Sequence, residues 1–205
     1  MEENKYIDNS KDMEKELTRI YDRFNHHFWN DELPGVIITF RPTKGSVGHM
    51  TSVPVWESSD VRKDKYELNI SAFVLDRTPN EICETILHEQ CHLYNALHEI
   101  KDCSNEGRYH NSEFKKMAES HGLICMKDSR FGWAITDLDE DTCNYVKRLH
   151  IKQFAYRYKK DLPSKNKLKR FQCPTCKKTT AWLTRTQRIL CGMCLCELVY
   201  APTRE

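Results

Sequence analysis

The spacing of apolar residues divides the chain into segments of helical and strand character. Residues 11–29 predict an amphipathic helix, because apolar side chains recur every three or four positions and so share one face. These side chains are Met13, Leu17, Ile20, Tyr21, Phe24 and Phe28. Residues 112–121 predict a second helix, with Asn111 as its N-cap and Gly122 as its stop signal.

Three other segments predict strands. Residues 36–40 are β-branched and aromatic, residues 46–51 are a second candidate, and residues 66–71 alternate apolar with polar side chains, as in a half-buried strand. The remaining segments are less regular. Residues 100–109 predict a loop, residues 127–142 predict an acidic irregular stretch, and residues 144–160 suit either a strand or a helix. We therefore expect the α+β class.

The best-defined helix begins at a capping box. Thr78 is a suitable N-cap, Pro79 suits the first helical position, and Glu81 is the third residue, whose carboxylate can bond back to the cap. Helical spacing of apolar residues continues to about residue 99. This helix contains His88-Glu89-Gln90-Cys91-His92, a pattern with chemical consequences.

The two histidines of this HExxH pattern lie four positions apart, so both imidazoles project from one side of the helix. That spacing allows both rings to bind one tetrahedral Zn²⁺, and Glu89 can take a proton from a zinc-activated water without being a ligand. Another interpretation is a surface helix with two solvated histidines.

A zinc site needs a third ligand, for which the sequence offers three candidates. His110 ranks first, because it precedes a capped helix and follows a polar loop that can fold back over the cleft. His98 ranks second, since HExxHxxNxxH has the spacing of metzincin proteases, with Asn95 where those proteins have Gly. Glu113 is the third candidate.

Ten cysteines are present, and five of them cluster near the end of the chain. Cys173 and Cys176 form one CxxC pair, and Cys191 and Cys194 form another, which is the arrangement of a zinc ribbon with a structural Zn²⁺. Cys196 is expected to be a neighbouring thiol, although it offers a substitute for Cys194. The other five are expected to be small residues of the core. They are Cys83, Cys91, Cys103, Cys125 and Cys143.

The formal net charge of +2 conceals an uneven distribution. Residues 147–188 contain fourteen Lys and Arg residues and one acidic residue, whereas residues 1–146 contain seventeen basic and twenty-seven acidic residues. Such a basic block, interleaved with aromatic residues, favours binding to nucleic acid. A solvated linker is the alternative. The candidate DNA-contacting residues are Lys159, Lys160, Lys165, Lys167, Lys169, Arg170 and Trp182.

Residues 10–125 resemble the SprT family of metallopeptidases, which includes bacterial SprT proteins and the Spartan protease domain. The similarity is carried by TILHEQCHLYNALH and by YHNSEFKKMAESHGL, with Asn111 where the family usually has Gly. The resemblance implies a zincin-like domain with a small mixed sheet on two central helices. It also implies that His88, His92 and His110 bind catalytic zinc and that Glu89 is the general base. The strand at residues 66–71 would border the cleft, where an extended substrate could add to its edge.

We therefore expect a metallopeptidase domain at residues 1–160, a basic linker at 161–170 and a zinc ribbon at 171–205. The expected function is a zinc endopeptidase acting on DNA-associated or crosslinked proteins. The alternative is a nucleic-acid-binding zinc protein whose HExxH site is not catalytic, and a secreted metzincin-like protease is a weaker option. The polar N-terminus, the cysteine spacing and the absence of a long apolar run predict a cytoplasmic protein that does not enter membranes. We also expect a monomer.

Overall fold

The computed structural model describes residues 6–59, 64–159, 168–183 and 188–201. These residues fall into two compact units, divided after residue 160. Most of the segment predicted as a linker, residues 161–167, lies outside the described residues.

Unit 1 is a mixed α+β structure, which confirms the predicted class. Its helices are α1 (Ser10–Trp29), α2 (Pro79–Leu97), α3 (Ser112–Ser120) and α4 (Glu140–Arg148). Its strands are β1 (Tyr6–Ile7), β2 (Val36–Thr39), β3 (Gly48–Met50), β4 (Tyr66–Ile70), β5 (Cys103–Ser104), β6 (Tyr109–His110), β7 (Leu123–Asp128), β8 (Gly132–Leu138) and β9 (Gln153–Phe154).

Helix α2 lies at the centre of unit 1 and contacts α1, α3, α4, β3, β7 and β8. The predicted capping box is confirmed: the Thr78 side chain accepts from the Glu81 N–H, and the Glu81 carboxylate accepts from the Thr78 N–H. A buried amide joins α2 to α1, because Gln90 accepts from Trp29 Nε1 at 3.1 Å and donates to the Tyr21 carbonyl at 3.0 Å. Both polar ends of this fully buried side chain are therefore satisfied.

The sheet beside α2 has the order β2–β4–β3, with β2 parallel and β3 antiparallel to β4. The expectation of a half-buried β4 is wrong, because Glu67, Asn69 and Ser71 are all buried. Asn69 and Ser71 bond to the segment that follows β2, whereas Glu67 pairs with Arg41 of that segment and accepts from Trp56 Nε1, which follows β3. For example, Asn69 Oδ1 accepts from the Arg41 backbone N–H at 2.7 Å. The polar side chains of this central strand thus form hydrogen bonds with a segment that covers them, and they do not face water.

The second sheet has the order β5–β6–β8–β7. The predicted irregular stretch at 127–142 is wrong, since it contributes to a long β7–β8 hairpin and to the start of α4. The predicted loop at 100–109 contains the short antiparallel pair β5–β6. After α4, β9 pairs in parallel with β1, which resolves the ambiguous segment at 144–160 as a helix end and a short strand.

Unit 2 is a small antiparallel sheet with the order β11–β10–β12, comprising β10 (Lys169–Gln172), β11 (Thr180–Leu183) and β12 (Val199–Tyr200). Its buried cluster consists of Phe171, Cys173, Cys191 and Leu198. Such a small core contributes little burial free energy.

A glycine fixes the junction between α3 and β7. Gly122 has a φ of +85°, and a Cβ there would lie 2.1 Å from Thr142 Oγ1. We expect Gly122→Ala to lower the free energy of unfolding by about 1–2 kcal/mol for the left-handed backbone and about 1–3 kcal/mol more for overpacking. Gly107→Ala is the matched control, because its φ is +83° but nothing lies within 4 Å of its Cβ position. Urea unfolding followed by helical circular dichroism measures both, and equal losses would contradict the contact with Thr142.

Candidate metal centre

Helix α2 places three candidate residues side by side. His88 and His92 are one helical turn apart, and Glu89 lies against the β3 strand. The helix continues through Asn95, which is fully buried and donates to Asp102 Oδ2 at 3.1 Å. A metzincin-type arrangement would require the backbone to leave the helix at this position. The backbone here stays helical.

His98 and Glu113 lie apart from this group. His98 caps the C-terminus of α2, where its half-exposed ring packs at a tilt against Tyr94 and lies 3.7 Å from Glu32 Oε2. Glu113 is exposed in the first turn of α3.

His110 reaches the α2 histidines from β6. Its backbone N–H donates to the Phe131 carbonyl at 2.9 Å, which joins β6 to the start of β8. Asn111 then caps α3 by accepting from the N–H of Glu113 at 2.8 Å, as predicted. The Phe114 ring lies 4.6–4.7 Å from each of the three imidazole rings and forms the apolar floor beneath them.

The three imidazoles converge through their Nε2 atoms. The His88–His110 and His88–His92 separations are 3.2 Å, and the His92–His110 separation is 3.0 Å. Tetrahedral Zn²⁺ with Zn–N bonds of about 2.0–2.1 Å would hold such nitrogens about 3.3–3.4 Å apart. These residues therefore form a group that can hold a metal ion.

Burial keeps two of these rings neutral. Desolvation, with the neighbouring histidines, lowers the pKa of His88 well below its usual value and that of His110 to about 4. For His92, burial also acts to lower the pKa, but the hydrogen bond to Asp102 and the charges of Glu89 and Asp102 together outweigh it, and the pKa is raised. Neutral imidazoles offer the lone pairs that a metal needs.

Glu89 is buried beside the histidines, against the β3 strand. A Cβ on Gly48 would lie 3.0 Å from Glu89 Oε1, so glycine allows this strand to approach the carboxylate. Burial raises the pKa of Glu89 to about 7, although the charge of His92 and a hydrogen bond from the Met50 backbone act to lower it. A carboxyl group with a pKa near neutrality can both accept and release a proton.

Two of the three histidines are held by outer partners that the sequence did not reveal. His92 Nδ1 lies 2.6 Å from Asp102 Oδ2, and His88 Nδ1 lies 3.0 Å from Thr136 Oγ1. His110 Nδ1 is buried and has no hydrogen-bond partner among the described residues. Asp102 lies in the predicted loop and Thr136 in the predicted irregular stretch, and neither has a local pattern that marks it.

A cleft of about 1010 Å³ opens over these residues. Its walls are formed by residues 45–52, by α2, by residues 100–108 and by β8. The expectation that β4 borders this cleft with a free edge is wrong, because β4 is paired on both sides. The edge strand that borders the cleft is β3. Since the Val47 carbonyl and the Thr51 N–H bond to β4, the intervening Gly48 and Met50 direct their backbone groups outward.

The four cysteines of unit 2 form a second group that can hold a metal ion. The two CxxC pairs have the same local structure, because Lys177 and Leu195 follow them with φ values of 56° and 53°. Their backbone N–H groups return to the carbonyls of Cys173 and Cys191 at 3.1 and 2.8 Å. Two such turns direct thiols toward one point, which suits a tetrahedral thiolate site. The group consists of Cys173, Cys176, Cys191 and Cys194. The Cys196 Sγ lies 3.3 Å from that of Cys173, so this thiol neighbours the group.

The candidate DNA-contacting residues are only partly described. Lys160, Lys165 and Lys167 lie outside the described residues, whereas Lys159 is exposed at the end of unit 1. In unit 2, Lys169 is exposed, and Arg170 lies opposite Trp182, whose side chain is 53% exposed.

The helices of the described residues are too short or too polar to cross a membrane.

Comparison with known proteins identifies one family. The model of the SprT-like family matches residues 17–130, a range that includes all three histidines, Glu89 and Asp102. No curated protein and no solved structure matches the chain. The family match covers more than half of the chain, and the members of this family are regarded as zinc metalloproteases. The chain belongs to the SprT-like family.

Proposed function

We propose that the chain is a zinc-dependent endopeptidase with a zincin-like catalytic domain. The observation that carries this proposal is the convergence of three imidazole Nε2 atoms beside a buried carboxyl group, at the wall of an open cleft. In this proposal His88, His92 and His110 hold the catalytic ion, and the unit 2 cysteines hold a structural one.

Zinc in such a site lowers the pKa of water toward about 7 and polarises a carbonyl group. The chain's own residues bind the substrate and transfer the protons. The outward Gly48 N–H and Met50 carbonyl pair with an extended peptide, which is a sequence-tolerant mode of binding. The Met50 N–H stays bonded to Glu89, and the Gly48 carbonyl accepts from the Ser46 hydroxyl. Glu89 accepts the proton of the attacking water and passes it to the leaving amine, because its pKa of about 7 suits both steps.

We further propose that the monomeric protease acts on DNA-associated or crosslinked proteins. Support comes from the basic composition of residues 147–188 and from the exposed Trp182 beside Arg170 on one face of the ribbon sheet. Aromatic and cationic side chains together suit single-stranded nucleic acid. The alternative function, a nucleic-acid-binding zinc protein without catalysis, shares these features and differs only at the histidine site.

The first prediction separates the two functions. Glu89→Gln should lower the rate of cleavage of a DNA-crosslinked protein by at least about 10²-fold, because general base catalysis is lost. Zinc content and DNA affinity should stay unchanged. Glu81→Gln is the control, since this residue lies on the same helix but caps its start. Cleavage by Glu89→Gln at the wild-type rate would refute the proposed mechanism.

The second prediction concerns the ligand set. The wild-type chain should bind two zinc ions, as measured by elemental analysis after dialysis. His110→Ala should retain one firmly bound ion, because two imidazoles hold zinc more weakly than three. His98→Ala should retain two, because this ring caps α2 away from the group. Loss of zinc in His98→Ala with retention in His110→Ala would reverse the assignment.

The third prediction concerns the ribbon face. Trp182→Ala should weaken binding to single-stranded DNA by about 1–3 kcal/mol, the range for loss of one stacked base. Arg170→Ala should reduce the salt dependence by about one phosphate contact. Tyr200→Ala is the control, because this exposed aromatic residue pairs with Phe171 on the opposite face of the sheet. Fluorescence anisotropy across a salt series measures all three, and equal effects of Trp182→Ala and Tyr200→Ala would contradict a specific face.

A further inference from the structure

We propose that Glu84 and Thr136 are positioning residues that fix the tautomer and orientation of His88 for metal binding. This inference rests on the proposed metal centre at the three histidines. Neither residue lies in the HExxH pattern, and neither touches the position at which the Nε2 atoms converge.

Three side chains form a continuous hydrogen-bonded relay. The His88 Nδ1 atom lies 3.0 Å from Thr136 Oγ1. The same hydroxyl donates to Glu84 Oε1, and Glu84 lies one helical turn before His88 on α2. The relay therefore leaves α2 at Glu84, crosses to the β8 strand at Thr136 and returns to α2 at His88.

The direction of each hydrogen bond follows from proton counting. A threonine hydroxyl has one hydrogen, and an ionised carboxylate can only accept. When Thr136 donates to Glu84, it must accept from His88, so the His88 proton lies on Nδ1. The Nε2 atom of His88 is then left with a free lone pair, directed at His92 and His110.

The surroundings of Glu84 favour its role as acceptor. Burial raises the pKa of Glu84, and the hydrogen bonds from Thr136 and Thr85 and the charge of Arg77 offset only part of this rise. The Thr85 hydroxyl lies 3.2 Å from the second carboxylate oxygen of Glu84, and Arg77 Nη2 donates to that hydroxyl at 2.9 Å. The Thr85 hydroxyl has one hydrogen, which it shares between this oxygen and the Glu81 carbonyl at 3.0 Å, so Thr136 is the main donor to the carboxylate.

The relay also gives the two α2 histidines different supports. Asp102 bonds to His92 directly, whereas Glu84 acts on His88 through a hydroxyl of another element. Outer partners of this kind orient metal-bound imidazoles and increase their basicity. Because Thr136 belongs to the β7–β8 hairpin, the position of this hairpin bears directly on the metal centre.

The experiment measures metal affinity in the full-length chain, with Co²⁺ as the probe and a competing chelator. Thr136→Val keeps the shape of the side chain but removes the hydroxyl, so the affinity of the histidine site should fall about 10- to 100-fold. Thr136→Ser should restore binding to within about threefold, because it returns the hydroxyl. Glu84→Gln should also weaken binding, whereas Glu81→Gln, one turn from the relay, should not. The thiolate-to-cobalt absorption of the ribbon serves as an internal control and should be equal in all variants.

The outcomes separate this inference from the function on which it rests. Wild-type affinity in both Thr136→Val and Glu84→Gln would overturn the relay while leaving the metal centre intact. Weak binding in Thr136→Ser, equal to that in Thr136→Val, would also overturn it, because packing and not the hydroxyl would then be responsible. Cobalt bound by the wild-type chain only through thiolates would refute the metal centre itself.

Discussion

The convergence of three imidazole Nε2 atoms within 3.2 Å is the constraint that the rest of unit 1 has to satisfy. Imidazole lone pairs directed at one point repel one another unless a cation or a shared proton lies between them. Their arrangement therefore has to be imposed by the surrounding fold. Helix α2 is buried on several sides, Gln90 ties it to α1, and β6 is held to β8 at His110. Each of these contacts limits where one imidazole can lie.

The two groups of metal-binding residues depend on their surroundings in opposite ways. The histidine group is built on a large core that is already assembled from α1, α2 and the sheets. The cysteine group lies in a unit whose buried cluster has four residues, so metal binding should supply much of its folding free energy. In the proposed function, metal would thus be a reagent in unit 1 and a structural element in unit 2. The exposed hydrophobic residues of unit 2, including Met193 and Leu195, agree with a module that has little interior.

Sequence reasoning succeeds where the chemistry is local. The capping box at Thr78 and Glu81, the helical spacing of His88 and His92, and the repeated CxxC pairs are all defined within a few residues, and the structure brings each set together as expected. It fails where partners are distant in the chain. Asp102 and Thr136 have no periodic pattern, and the polar residues of β4 are buried only because another segment covers them. The order of strands, which makes β3 and not β4 the edge, follows from pairings that no single segment encodes.

Zinc K-edge X-ray absorption of the full-length chain tests the central claim most directly, because it reports the ligand atoms of every bound zinc. The account predicts two zinc ions per chain, one with a nitrogen and oxygen shell at about 2.0–2.1 Å that shows imidazole scattering, and one with a sulfur shell at about 2.3 Å. Glu89→Gln should leave both shells unchanged, since this side chain is not a ligand. A spectrum with sulfur ligands alone would contradict a metal centre at His88, His92 and His110.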